Sequence, residues 1–230
     1  ALNTEYCEQI GISVDDLYIS QPTFGEQAIE ATRALIETGE VDLIIIDSVA
    51  ALTPKSTLEG ESGQAQMAVQ ARMMSQAMKL ITGPAADNDC TVIFINQLRA
   101  TMAMYGPAQT TTGGKALKFF ASQRLEIKNR GKLKVGEEVV GFKQEINIVK
   151  NKIGSPFKKV AYEIVYGKGI DKINGLVEGC VKQGILERNG AYYKFNGENI
   201  AQGMKKLRVL LDDNEEFVEE LQRLYDEKTS

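Results

Sequence analysis

The run Val41-Asp42-Leu43-Ile44-Ile45-Ile46 ends in the carboxylate of Asp47, followed by the hydroxyl of Ser48. A carboxylate at the C-terminal end of a buried strand lies where open α/β sheets bind ligands. An apolar run closed by Asp has the form of a Walker B strand, whose Asp holds Mg²⁺, often through water. The plainer reading is a strand that happens to end in Asp. A second run, Thr91-Val92-Ile93-Phe94-Ile95, ends in Asn96-Gln97. An amide there can feel a terminal phosphate and pass its presence onward, or it can be an ordinary strand-end cap. Residues 99–112 follow, with three Ala, two Met, Tyr105, Gly106, Pro107 and a run of three Thr, and with no helical or strand period. Loops of that length in compact domains are functional or disordered. They lead into Gly113-Gly114-Lys115. A glycine pair opening a helix leaves backbone N–H groups for an anion. Small, hydroxylated and basic residues beside an aromatic suit a single-strand-binding loop; the alternative is a surface loop with a helix cap. Lys150 and Lys152 stand at i and i+2 on a strand and point the same way. Such a pair reaches a phosphate on its own or a neighbouring subunit, or it forms a solvated edge that discourages aggregation.

These groups need elements to hold them. Residues 4–10 and 24–37 show helical spacing, and residues 64–81 place Met67, Ala71, Met74, Met78 and Ile81 at three- and four-residue steps. The two apolar runs read as buried strands of a largely parallel sheet, so the first half predicts an α/β domain. Residues 122–128, 139–149 and 158–166 read as strands added antiparallel to the same sheet, with a turn at 152–156. A break at 167–169 opens a smaller α+β module. It comprises a helix at 172–183, a hairpin turned at Asn189-Gly190 between 185–188 and 192–195, and two C-terminal helices. The expected domains are therefore 1–168 and 169–230.

Composition removes several chemistries. The chain has no histidine, which excludes Ser-His-Asp and Cys-His catalysis and most zinc sites. Cys7, Cys90 and Cys180 match no metal or redox spacing and read as reduced thiols of a cytoplasmic protein. No apolar run in these 230 residues approaches the roughly 20 residues that cross a bilayer, and no basic stretch followed by an apolar core resembles a secretion signal. The net charge of −4 hides an asymmetry. Residues 1–98 carry 4 Lys/Arg against 14 Asp/Glu, residues 99–168 carry 14 against 5, and residues 212–230 carry 2 against 8. A basic middle between acidic ends is either a nucleic-acid footprint or a solvated, charge-rich surface.

Five segments together are specific. Asp47-Ser48-Val49-Ala50-Ala51-Leu52-Thr53-Pro54, Ala71-Arg72-Met73-Met74-Ser75-Gln76-Ala77-Met78, Phe94-Ile95-Asn96-Gln97-Leu98-Arg99, the stretch from Thr110-Thr111-Thr112-Gly113-Gly114 to Phe119, and Val149-Lys150-Asn151-Lys152 occur in one order. In residues, order and spacing they resemble the signatures of the bacterial-type RecA recombinase family, and the resemblance runs from Ala1 to the hairpin near Tyr193. It implies a RecA-like P-loop ATPase core, with a mostly parallel central sheet plus antiparallel strands, and a small C-terminal domain that gates duplex access.

The resemblance also implies roles. Asp47, beside Ser48, is the Mg²⁺-associated acid, acting through water; Gln97 senses the γ-phosphate of ATP. Asn3 and Tyr6 fall where the family contacts adenine, although Asp is commoner at the first position. Lys150 and Lys152 reach the neighbouring subunit's ATP, and Phe119 relays nucleotide state across that interface. Residues 59–67 and 99–112 correspond to the two DNA loops. Met67, Arg72, Ser75, Lys79, Arg99, Tyr105, Gly113, Gly114 and Lys115 line the primary DNA path. Implied partners are single-stranded and duplex DNA, further copies in a helical filament, and an SOS-type repressor, with no membrane.

Three departures accompany the match. No G-x-x-x-x-G-K-[ST] phosphate loop occurs in the 230 residues, and the family's catalytic Glu falls before Ala1. Glu145 and Asn147 occupy a strand where the family commonly carries basic residues for a second DNA strand. The expectation is an excerpt of a longer DNA-dependent ATPase of recombination and repair, with little or no ATPase activity alone, because phosphoryl transfer depends on positioning. The competing expectation is a non-catalytic DNA-binding or filament-modulating homologue. A helicase of the same core fold agrees less well with the Thr-Thr-Thr-Gly-Gly and Lys-Asn-Lys segments.

Overall fold

The computed structural model describes residues 2–60, 65–100 and 109–229. The chain forms two compact units, one of residues 18–124 and one joining the residues up to Leu17 to those from Leu125 onward. Helix α1 (Thr4–Gln9) opens the second unit. Asn3 caps it, with Oδ1 accepting from the Tyr6 N–H at 3.0 Å, and Cys7 is its buried residue.

The unit 18–124 runs through α2 (Gly25–Glu37), β1 (Leu43–Asp47), a 3₁₀ turn (Val49–Ala51), α3 (Lys55–Glu59), α4 (Ala65–Asp87), β2 (Thr91–Ile95), β3 (Leu98–Ala100), β4 (Gln109–Thr111) and α5 (Ala116–Phe120). β1 and β2 are parallel and in register from Leu43↔Thr91 to Asp47↔Ile95, as the alternation of helix and strand predicts. α2 buries Ala28, Ile29, Thr32 and Ile36, one stripe at helical spacing. α4 meets it with Met73, Met74, Ala77, Met78 and Ile81. A Cβ on Gly25 would lie 2.6 Å from the end of Met73, so this glycine lets the start of α2 approach α4 closely. Ile44, Ile46, Val92 and Phe94 pack against the same core.

The expectation of two wholly buried strands needs correction. Leu43, Ile45, Ile93 and Ile95 are 42–56 % exposed. Side chains alternate across a strand, and among the described residues the core lies on one face of this pair. α4 also runs past the expected end at 81, through Pro84, to Asp87. Its end is closed by Asn88, whose backbone N–H and Nδ2 both donate to the Pro84 carbonyl at 3.0 Å.

In the other unit β5 (Gln123–Val135), β6 (Glu138–Asn151), β7 (Lys159–Val165) and β8 (Gly169–Ile170) form a sheet in that order. Among the described residues it is a sheet of its own, not an addition to β1 and β2. β6 and β7 are antiparallel from Gly141↔Val165 to Asn147↔Lys159. β5 continues seven residues beyond the expected 128. Then come α6 (Lys172–Lys182), β9 (Glu187–Asn189), β10 (Tyr192–Phe195), β11 (Glu198–Gln202), α7 (Met204–Asp212) and α8 (Glu215–Thr229). The strand β11 was not anticipated, although Asn196 (φ +51°) and Gly197 (φ +84°) make the two-residue, left-handed turn that favours Asn-Gly. Val177, Cys180, Leu186, Tyr193, Leu207, Leu211 and Leu221 form the core of this C-terminal part. All three cysteines are buried free thiols. No helix among the described residues is long and apolar enough to cross a membrane.

Candidate nucleotide and nucleic-acid sites

The parallel register carries Asp47 and the Asn96-Gln97 pair to the same, C-terminal end of β1 and β2. Asp47 is exposed and Ser48 half-buried, and the peptide bond between them is cis. The turn after them is anchored by Gln70 of α4, whose Nε2 donates to the carbonyls of Val49 and Leu52 at 3.0 and 3.1 Å. Among the described residues no group of three or more His, Cys, Asp or Glu converges. The local donor set is one carboxylate beside one hydroxyl, which suits Mg²⁺, a cation that keeps several waters and takes one or two carboxylates together with phosphates.

Of the two strand-end amides, Asn96 is half-buried and Gln97 exposed. Asn96 acts as a clasp. Its Nδ2 donates to the Thr112 carbonyl at 3.0 Å, and its Oδ1 accepts from the Thr112 hydroxyl at 2.7 Å and from the Gln97 N–H at 2.8 Å. The segment 99–112 is therefore not structureless at its ends: β3 and β4 pair antiparallel, with Arg99 opposite Thr110. Tyr105 and most of the rest of that loop, like residues 61–64 of the first loop, lie outside the described residues.

The glycine pair is packed as well as turned. Gly113 and Gly114 have φ of +80° and +77°. A Cβ would sit 2.8 Å from Val49 Cγ1 at the first and 2.7 Å from Ala71 Cβ at the second. The helix that follows, α5, has Lys115 as its exposed N-cap residue and keeps Phe119 71 % exposed. On α4, Arg72, Ser75 and Lys79 fall within about 60° of arc at 3.6 residues per turn, with Arg72 and Lys79 exposed and Ser75 half-buried. Met67, 80 % exposed, lies off that arc, in line with Met74 and Met78.

The remaining candidates belong to the other unit. Tyr6 is half-buried on α1, and the Asn3 side chain is engaged as its cap. α1 lies beside the turn into β8, where a Cβ on Gly169 would be 3.0 Å from Ile10 Cγ2. Lys150 is half-buried near the end of β6, but the strand stops at Asn151, so Lys152 lies in the turn. The inference that strand geometry aligns the two lysines is corrected: Asn151 Oδ1 accepts from the Ile153 N–H at 3.2 Å, and a turn directs Lys152 instead.

A row of cations on β5 was missed. Lys128, Arg130, Lys132 and Lys134 occupy alternate positions and share one face. The alternation was legible, but the strand was expected to end at its first member. Arg130 meets Glu145 of β6 at 2.6 Å. That hydrogen bond, opposed by desolvation and aided by the charges of Arg130, Lys159 and Lys128, holds the Glu145 carboxyl below its ordinary range.

Comparison with known proteins finds relatives over nearly the whole chain. The description RecA N-terminal domain matches residues 1–171, and RecA C-terminal domain matches residues 174–229. The chain is 46 % identical over 224 residues to Protein RecA of Acinetobacter baumannii, which covers 97 % of this chain and 64 % of that relative. It is 45 % identical over 229 residues to Protein RecA of Thioalkalivibrio sulfidiphilus, covering 99 % and 67 %. Protein RecA of Syntrophus aciditrophicus is 44 % identical over 219 residues, covering 95 % and 64 %. The chain thus spans about two-thirds of the length of the relatives it matches, and by domain match and identity it belongs to the RecA family.

Proposed function

We propose that this chain serves homologous recombination and DNA repair, binding single-stranded DNA within an ATP-dependent filament that exchanges strands with duplex DNA. The observation that carries the reading is the convergence on α4. One arc of that helix presents Arg72, Ser75 and Lys79, and the Gly113-Gly114 turn at the foot of the Arg99 stem packs on the same helix. Cations beside closely approaching backbone suit a phosphate track. Met67, Lys115 and Tyr105 extend it in the same reading. Asp47 with Ser48 holds Mg²⁺ through water, Gln97 reports the γ-phosphate, and Asn3 and Tyr6 take the adenine. Lys150, Lys152 and Phe119 face a neighbouring copy in the filament. When bound, ATP with Mg²⁺ supplies a transferable phosphoryl group and a charge that distinguishes one nucleotide state from another. An SOS-type repressor partner and a cytoplasmic setting belong to the same proposal; the three free thiols suit the latter.

The test is single-stranded DNA binding by fluorescence anisotropy across a salt series, with and without ATP and Mg²⁺. Salt-sensitive binding strengthened by ATP is the expected result for a working nucleotide site. Salt-sensitive binding indifferent to ATP supports the DNA assignment and favours a non-catalytic binder for these 230 residues. Absence of binding at low salt rejects the DNA assignment.

A further inference from the structure

Polar groups join the C-terminal part to the β6–β7 sheet. Among the described residues its apolar core is drawn from Ile173 to Tyr225, with no member from β5–β8. Across the junction runs a chain of side chains. Lys143 of β6 stands opposite Glu163 of β7, and their charged groups meet at 3.2 Å. The other oxygen of Glu163 accepts from Asn174 Nδ2 of α6 at 3.1 Å. The Asn174 N–H donates to Asp171 Oδ1, and Arg208 of α7 donates to both oxygens of Asp171. Along the backbone, the Asp171 N–H donates to the Glu163 carbonyl at 2.9 Å. Side-chain exposure falls from 53 % at Lys143 through 19 % at Glu163 to 3 % at Asp171, so water competes least at the centre of the chain. The two domain matches meet at this centre, one ending at Asp171 and the next beginning at Asn174. Just upstream, Gly167 and Gly169 have φ of +72° and +78°.

We propose that the chain Lys143–Glu163–Asn174–Asp171–Arg208 is a latch. It fixes the direction in which the C-terminal part leaves the sheet, and it opens in one step that leaves the C-terminal core folded. This holds whatever the protein binds. Junctions within a chain that are held by polar groups resemble transient interfaces, where relative motion is the ordinary expectation. Glu163 and Asp171 each serve several partners, and hydrogen bonds that share atoms support one another, so they are lost together. Gly167 and Gly169, free of a Cβ, supply backbone that can absorb the swing. Asn174 is the uncharged member of the five and belongs to both sides. Its N–H closes the cap of α6, while its side chain reaches the sheet. A change confined to that side chain therefore cuts the latch and keeps the cap.

The experiment is native-state amide exchange, followed by nuclear magnetic resonance on the 230-residue chain. The Asp171 N–H reports the junction, and the Ile185 N–H, bonded to the Cys180 carbonyl at 2.8 Å, reports the C-terminal core. Asn174→Ala is expected to speed exchange at Asp171 about tenfold, the scale of one hydrogen bond to a charged group, and to leave Ile185 unchanged. Asn174→Asp separates the latch from the helix. An acid in the first turn favours α6, but here it sets a like charge against Glu163. It should open the junction at least as far as alanine does, and less so as salt is raised. A residue that served the helix alone would slow exchange instead. Parent-rate or slower exchange at Asp171 in either variant overturns the latch. So does a rise at Ile185 equal to that at Asp171, because the junction would then open only when the whole C-terminal part unfolds. A melting curve on each variant shows that it is folded.

Discussion

The Asp47 carboxylate is exposed, while Ile46 just before it and Phe94 on the paired strand pack against the core. A change confined to that carboxylate therefore leaves the packing alone. Asp47→Asn should keep the thermal melting curve of the parent while abolishing any strengthening of DNA binding by ATP and Mg²⁺. A variant that still responds to ATP removes Asp47 from the nucleotide site. Gly113 is the opposite case, a residue whose side chain must be absent. Alanine there meets both a left-handed backbone and Val49 Cγ1 at 2.8 Å. Gly113→Ala is expected to destabilise the 18–124 unit by about 1–3 kcal/mol in urea unfolding. An unchanged midpoint would show that the turn relaxes freely. Residue identities at these places were legible; their reasons were only partly so. The Gly-Gly pair reads in sequence as an anion site or as a surface loop with a helix cap; what the sequence does not reveal is that a Cβ on either glycine would crowd Val49, Met74 or Ala71. The Asn96 clasp could not be foreseen, since its partner lies sixteen positions along and no local pattern links them.

Among the elements, α6 is fastened at its start. Asp171 is its N-cap, with Oδ1 accepting from the Asn174 N–H at 3.1 Å, and its side chain is 3 % exposed. Arg208 of α7 donates to both oxygens of that carboxylate through Nη1 and Nη2, and this hydrogen bonding raises the guanidinium pKa. Arg208→Ala leaves a buried carboxylate without its cation. Breaking buried pairs costs roughly 3–5 kcal/mol, and the 39 % exposure of Arg208 lowers the expected loss to about 2–3 kcal/mol. Denaturant unfolding monitored by far-ultraviolet circular dichroism checks it; a loss under half a kilocalorie would mean that water replaces the arginine. The β5–β6 pair carries a pH signature. Glu145 has a lowered pKa in the fold, so its contribution is complete above the ordinary glutamate value of 4.5 and is lost as pH falls through the lowered one. Amide exchange in β5 and β6 should accelerate on that acid side and stay flat between neutrality and 4.5, once the intrinsic rate is divided out. Elements with an apolar period were legible, as α2, α4, β1 and β2 show. β5 beyond Lys128 was not, because its outer positions are all cationic, and the last turn of α4 was not, because Gly83-Pro84 ordinarily ends a helix.

At the scale of the whole molecule, a net charge of −4 coexists with a local excess of nine positive charges in residues 99–168, 14 against 5. Those residues supply Arg99 and Lys115 to the 18–124 unit and the cations of β5, β6 and β7 to the other, so the basic segment of the sequence is shared between the two units. That segment was visible in the sequence as a count; the division of its cations between two units was not, because it follows from tertiary structure. The buried thiols extend the same contrast between regions. Cys90 belongs to the core of residues 18–124, Cys180 to the C-terminal core, and Cys7 to α1, with exposures of 7, 0 and 5 %. Burial raises the thiol pKa of Cys90, helped by the Asp42 charge, and that of Cys180, which withholds the reactive thiolate. A sulfhydryl reagent followed by peptide mass mapping should modify the three slowly in native buffer, each at its own pace, and together in denaturant. Rapid modification of all three in native buffer would contradict their burial. The protein thus carries three clocks of its own, one in each region, that time its opening without any engineered label.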